Sequence, residues 1–356
     1  MNNTVLEIDI NKFKNNINKI KEKSNNKEIM PIIKANGYGT YINKRLDIIN
    51  DFNIVAVAKV EEAIFLRELG YEKDIFILNQ PSILELDEIN KYNLIIGLSE
   101  KDFLENINIP IRIHLEIETG MNRTGIKLKD LDYFINKIKN NSNIQVEGVY
   151  THLSCADTNR DYTEEQLAKF REAVQIVKDN FNIKYIHSSA SNGLLFYDDQ
   201  VSNLIRPGII MYGYYPCDEA KEKIELEPIA TLKTKITYLK DLDKDEKVSY
   251  GAKFVSSTNM KVATIPIGYA DGYKRSLSNK AEVLVKGQKC KVLGTICMDS
   301  CMIDVTNVDC KVGDTVYIWD NKLVTVEDLA QISNTINYEI ISTISPRVKR
   351  VFIENK

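Results

Sequence analysis

The 356-residue sequence is poor in histidine (3), tryptophan (1), cysteine (6) and proline (8), and its net charge is only −3. The shortages of cysteine, histidine and net charge each exclude something. Six cysteines in so long a chain cannot staple a disulfide scaffold. Cys297 and Cys301 form a CxxxC pair, but no second pair or nearby histidine completes a zinc set, so no metal is expected. With 47 Lys+Arg against 50 Asp+Glu, the basic surplus of a nucleic-acid binder is missing. No apolar run approaches the ~20 residues that span a bilayer. The opening MNNTVLEIDINKF lacks the basic start and apolar centre of a secretory signal. The expectation is a cytoplasmic protein that binds neither nucleic acid nor membrane.

What is present is an alternation. Ile10, Phe13, Ile17 and Ile20 recur at helical spacing. Short apolar runs then appear at 29–33, 54–58, 75–78, 94–98, 111–117, 144–150, 185–188 and 204–205, with amphipathic stretches such as 60–69 and 164–178 between most of them. Buried parallel strands read as continuous apolar runs. A doubly wound sheet would accept the same alternation, but eight β/α units within about 200 residues favour a (β/α)8 barrel. After about residue 225 the pattern changes to short strand-like runs at 231–239, 262–266, 281–286, 290–294, 301–305 and 315–318, many separated by Gly and Asp turns. One helix is expected at 325–332. This reads as a barrel over 1–225, whose first residues could join the second domain, and a mainly β domain over 226–356.

In a barrel, chemistry sits at the C-terminal ends of the strands. Those positions hold Lys34, Glu116, Arg123, His152, Ser191, and Arg206 with Gly208. A lysine facing a partly dry pocket loses pKa and gains a nucleophilic amine. Taken alone, Lys34 also fits a solvated strand end, and Arg206-Pro207 fits a turn. Gly208 would let backbone N–H groups approach a phosphate. Tyr250, in Ser249-Tyr250-Gly251, reads by itself as a strand aromatic beside a turn.

Together the motifs say more. Ile33 to Gly39 (IKANGYG), Glu118 to Gly125 (ETGMNRTG), Thr151-His152 and Arg206 to Ile209 (RPGI) resemble the alanine racemase family. So do Ser249 to Ala252 (SYGA), Pro266 to Gly272 (PIGYADG) and Cys297-Met298-Asp299. The resemblance runs in order along nearly the whole chain. It implies a pyridoxal 5′-phosphate enzyme that interconverts L- and D-alanine and supplies D-alanine for peptidoglycan. Lys34 then looks like the lysine that carries the cofactor. Tyr38, Ser191, Gly208 and Ile209 match positions that bind its phosphate, and Arg206 matches the arginine facing its pyridine nitrogen. His152 resembles the histidine that hydrogen-bonds that arginine. Lys34 and Tyr250 would be the two bases, one on each face of the substrate. Arg123 and the backbone N–H of Met298 would hold the substrate carboxylate. Tyr269, Asp157 and Arg275 match residues along the substrate's path inward. The resemblance also implies a homodimer, with Tyr250, Met298 and Asp299 donated by the partner subunit.

Three positions depart from the family pattern. Glu116 stands where many members have a carbamylated lysine, and its carboxylate is expected to orient Arg123. Ala190 replaces an asparagine before the phosphate-binding serine, and Pro346 replaces a tyrosine that contacts phosphate and pocket. The last leaves room for a serine or broad-specificity racemase as the alternative. A decarboxylase of the related barrel family is disfavoured by the Ser-Tyr-Gly and Gly-Tyr-Ala-Asp-Gly motifs, and a plain cofactor carrier by the second domain.

Overall fold

The computed structural model describes residues 4–354. The chain forms two compact units. One contains Lys14–Gly37 and Tyr41–Glu227; the other gathers the chain up to Phe13, Tyr38–Thr40 and the chain from Pro228 onward. No helix among the described residues is long and apolar enough to cross a membrane.

Strand β1 (Val5–Asp9) belongs to the second unit. The first unit holds β2 (Glu28–Ile29), β3 (Ile54–Val57), β4 (Asp74–Ile77), β5 (Ile95–Leu98), β6 (Ile111–Glu116), β7 (Ile144–Tyr150), β8 (Tyr185–His187) and β9 (Leu204–Ile205). Strands β3 to β8 pair in parallel in chain order, and β2 pairs in parallel with β9. Ala56 N–H donates to Pro31 and Ile33 N–H to Ala56 (both 2.9 Å), joining β2 to β3. Asn203 N–H to Ile186 (3.0 Å) and Arg206 N–H to Ser189 (2.9 Å) join β9 to β8. The eight strands thus close into a barrel. Every residue of β3 and β5 is buried, because helices cover one face and the barrel interior the other. Helix Val60–Glu68 turns Val60, Ala63 and Leu66 onto the strands, the larger Val60 and Leu66 side chains each contributing roughly 1.5–3 kcal/mol by leaving water. Helix Arg160–Asn180 starts where the Asn159 side chain accepts from Tyr162 N–H (3.1 Å).

The interior of this barrel is polar and aromatic. Phe76 stacks on His114 with ring centroids 4.6 Å apart, although β4 and β6 are not neighbours, so the contact crosses the inside. At the N-terminal end, Arg112 ties Asp74 (2.8 Å) and Glu147 (2.7 Å) together.

The second unit adds β10 (Ala230–Lys235), β11 (Tyr238–Leu242), β12 (Lys247–Val248), β13 (Phe254–Val255), β14 (Met260–Ile265), β15 (Glu282–Val285), β16 (Gln288–Leu293), β17 (Cys301–Asp304), β18 (Thr315–Trp319) and β19 (Lys349–Ile353). Nine of its strands form one sheet, in the order β11-β14-β17-β16-β15-β18-β10-β1-β19. The run 231–239, read as one strand, divides because β10 pairs with β1 and β18 while β11 pairs with β14. Helix Val326–Ile332 begins at a reciprocal cap: Thr325 Oγ1 accepts from Asp328 N–H (3.1 Å) and Asp328 Oδ2 from Thr325 N–H (2.9 Å). A second helix, Asn337–Ser342, was not expected from the sequence. At six residues it is too short to show a period.

Candidate active site

Lys34 ends the extended segment after β2. The next four residues all lie in the left-handed region: Ala35 (φ 52°), Asn36 (φ 54°), Gly37 (φ 59°) and Tyr38 (φ 53°). An L-residue pays roughly 1–2 kcal/mol there, so something must hold the turn. Gly37 N–H donates back to Ile33 (2.9 Å). Glu62 clamps the turn to the next strand end, accepting from Ala35 N–H (2.5 Å) and Ala58 N–H (2.8 Å). Burial lowers the Lys34 pKa, Arg123 lowers it further, and Glu62 partly opposes both. The amine is thereby made easier to deprotonate.

Arg206, after β9, is 2% exposed. Its Nη1 donates to Nδ1 and to the carbonyl of His187 (both 2.7 Å), and its Nη2 to the carbonyls of Thr151 (2.7 Å) and Ser188 (3.1 Å). Among the described residues only Nε–H is left without a protein acceptor, so one donor is reserved for something else. The guanidinium also lies over the Tyr150 ring at 5.6 Å. Gly97 makes room for that tyrosine, since a β-carbon there would sit 2.2 Å from its hydroxyl oxygen. Nearby, Ser191 Oγ accepts from Gly208 N–H (3.2 Å), which leaves the serine's own proton to donate. Ile209 begins a single 3-10 turn, Ile209–Tyr212.

Two sequence expectations need correction here. His152 makes no hydrogen bond to Arg206; the partner is His187, and what meets the guanidinium from the 151–152 segment is the Thr151 carbonyl. Burial first, then Arg206, Arg123 and Lys34, push the His152 pKa down to about 3, so this ring is neutral. Glu116 does not pair with Arg123. Its Oε1 accepts from Thr124 Oγ1 (2.8 Å), and its buried Oε2 makes no well-aligned hydrogen bond among the described residues. Burial raises the Glu116 pKa against the opposing pull of Thr124, Tyr150 and the two arginines. Arg123 itself is exposed on a loop that Glu118 pins by accepting from Asn122 N–H (2.7 Å) and Gly120 N–H. Asp157 is exposed after β7.

The β unit presents its own cluster. Tyr250 (72% exposed), Met298 (52%) and Tyr269 (43%) stand on three loops that are tied together. Thr295 Oγ1 donates to the Tyr250 carbonyl (2.9 Å), while Tyr269 and Ala270 N–H donate to Cys297 (3.1 Å) and Met298 (3.0 Å) carbonyls. Gly268 allows this approach: a β-carbon there would lie 2.3 Å from the Met298 carbonyl oxygen. Arg347 bridges Asp299 (2.6 Å) and Asp271 (3.5 Å). Tyr250, Met298 and Asp299 line one shallow pocket. Arg275 is exposed at the start of the turn Arg275–Leu277. Tyr38 packs with this unit, its ring 6.2 Å from Tyr338, and burial raises its pKa.

Fold and site define a class: a (β/α)8-barrel enzyme with a desolvated lysine and a caged arginine at the strand ends, followed by a β domain. Residues 8–216 match the family model for the alanine racemase N-terminal domain, and residues 229–352 that for the C-terminal domain. Alanine racemase 1 of Clostridium acetobutylicum is 39% identical over 98% of this chain and 95% of its own length. A structure of alanine racemase from Clostridium difficile 630 superposes with a TM-score of 0.94 at 32% identity, covering 100% of this chain and 97% of the other. Alanine racemase from Bacillus anthracis with bound L-Ala-P gives 0.94 at 30% identity, covering 100% and 96%. The chain belongs to the alanine racemase family.

Proposed function

We propose that this protein interconverts L- and D-alanine with pyridoxal 5′-phosphate as cofactor, in the cytoplasm, supplying D-alanine for peptidoglycan. The observation that carries the reading is the donor set at the barrel's strand ends, which fits that cofactor. A deprotonable Lys34 amine, one uncommitted Arg206 N–H, and the Ser191 hydroxyl beside Gly208 suit its aldehyde, its pyridine nitrogen and its phosphate respectively. When bound, the cofactor draws electrons from the substrate's α-carbon and so acidifies its proton.

The remaining chemistry belongs to the chain. Lys34 Nζ would hold the cofactor, and the same amine, made easier to deprotonate by burial, would take or return the α-proton on one face. Tyr250 Oη would do so on the other face. Arg206 would offer its remaining N–H to the ring nitrogen while keeping its own proton, which would limit side reactions that a protonated ring favours. Tyr38 and the Ile209 N–H add to the phosphate site, and His152 stays neutral close by. Arg123 and the Met298 N–H hold the substrate carboxylate, with Tyr269, Asp157, Arg275 and Asp299 bordering the way in. Tyr250 and Met298 stand exposed on the β unit, which supports a homodimer in which each subunit completes the other's site.

A second reading, turnover of serine alongside alanine, is favoured by Pro346, which supplies neither the ring nor the hydroxyl of the family's tyrosine. Pockets discriminate against one added hydroxyl by only about 100-fold when built of apolar contacts. The decisive test is borohydride reduction and peptide mapping, combined with a chirality assay on L-alanine and L-serine. A pyridoxyl label on Lys34 with loss of alanine chirality and no carbon dioxide release is expected. A label on another lysine would sink the assignment, and an absence of serine turnover would remove the second reading.

A further inference from the structure

The barrel interior contains a polar thread that reaches well below the proposed chemistry. Arg206 Nη1 lies 2.7 Å from Nδ1 of His187, and Nε2 of His187 lies 2.8 Å from Nδ1 of His114. A guanidinium has only donors. Nδ1 of His187 must therefore be the bare, accepting nitrogen. A neutral His187 then keeps its proton on Nε2 and donates it to His114. Nδ1 of His114 must accept in turn, so the His114 proton sits on Nε2. One arrangement of protons satisfies both contacts, and each assignment follows from the one before.

The surroundings hold these rings in place and keep them uncharged. Phe76 stacks on His114 (4.6 Å, 25°) and Tyr150 on His187 (5.0 Å, 5°). Gly148 makes room for His114, since a β-carbon there would come within 2.8 Å of its ring. Burial pushes the His114 pKa down to about 3 and that of His187 well below its usual range, with Arg206 acting in the same direction on both. Nε2 of His114 is buried and has no partner among the described residues, so the thread ends there. His114 is joined to Arg206 through one ring only.

We propose that His114 is a positioning residue for racemisation: by accepting the His187 Nε2–H it locks His187 in the tautomer whose Nδ1 accepts from Arg206, and so fixes the guanidinium against the cofactor ring nitrogen. The proposal rests on the role given to Arg206 above. Without an acceptor at His114, the buried His187 Nε2–H loses its partner, and only the contact with Arg206 still opposes a shift of the proton to Nδ1. A donor would then face a donor, and Arg206 would be pushed out of its cage.

The test compares wild-type holoenzyme with His114→Phe, which keeps a ring but removes the acceptor, and His114→Asn, whose Oδ1 can stand where Nδ1 was. His114→Phe should lower kcat by about 10-fold or more with the alanine KM within about twofold, as loss of an orienting histidine partner does elsewhere. His114→Asn should recover most of that loss. Nitrogen-15 NMR of the histidines supplies a readout that needs no turnover. His187 should carry its proton on Nε2 in the wild type and the Asn variant, and on a mixture of both nitrogens in the Phe variant. A wild-type His187 protonated on Nδ1 would overturn the proposal, and this holds even if the Phe variant fails to fold. So would a folded Phe variant with wild-type kcat. If instead Arg206→Ala racemised alanine normally while the NMR showed the expected tautomers, the reading of Arg206 would fail and the proton order would stand.

Discussion

At Ala35 a β-carbon sits in left-handed backbone immediately beside Lys34, where glycine would rest without strain. Glu62 holds that residue from the adjoining strand end, so the strain is maintained by a specific clamp. Ala35→Gly should relieve roughly 1 kcal/mol. Thermal melting should rise by about 2–4 °C, while kcat falls because Lys34 loses a fixed starting point. A variant that is both more stable and fully active would show that the strained turn serves no catalytic purpose. Glu116 gives a pH-dependent counterpart. Its folded pKa is raised by burial, so its favourable contribution is complete below the ordinary carboxyl value near 4.5 and is lost as pH rises through the folded value. Glu116→Gln should therefore gain stability over the wild type as pH goes from about 4 to 8. Melting curves that keep a constant gap across that range would contradict it. The sequence made Lys34, Arg206 and Glu116 visible because strand ends and motifs lie close together along the chain. The His187 contact was not visible, because it joins β8 to Arg206 and to His114, which is 73 residues away. Thr151-His152 drew attention to the wrong ring, since the backbone of that pair, not its imidazole, reaches the guanidinium.

The elements that were legible are those whose burial leaves a continuous apolar signature. The strands of the barrel fall within runs of Ile, Val and Leu because both faces are covered. A division such as β10/β11 leaves no such mark, because the apolar and polar residues of 231–239 continue across the bend while their partners change. The clasp between the loops that carry Tyr250, Tyr269 and Met298 was equally hidden. It depends on backbone groups and on Gly268, and the Arg347–Asp299 pair joins segments 48 residues apart. Arg347→Ala should free the loop that carries Met298 from its outer tether. Steady-state kinetics are expected to show an alanine KM several-fold higher, with cofactor content unchanged. An unchanged KM would mean that the backbone clasp alone sets the loop.

For the whole molecule, the barrel carries Lys34 and Arg206, and the β unit carries Tyr250 and Met298. If the proposed dimer completes each site with the partner's β unit, two inactive variants must complement one another. Mixed Lys34→Ala and Tyr250→Phe subunits should regain up to about a quarter of wild-type activity, since half of the subunits pair as hybrids and each hybrid has one intact site. Activity that never rises above the separate variants, despite verified subunit exchange, would place both bases on one chain.

The position of β1 also dictates an order of events at the ribosome. It emerges before every strand of the barrel, yet its neighbours are β10 and β19, with Val5 opposite Lys233 on one side and Lys349 on the other. The barrel can be synthesised in full while β1 waits with both of its edges open. Its second partner, β19, follows every other strand of the sheet in the chain, so β1 is sealed only after all of them have been made. A nascent chain stalled before β19 would hold a finished barrel tethered to a sticky, half-built sheet, which is the form that chaperones and proteases would meet.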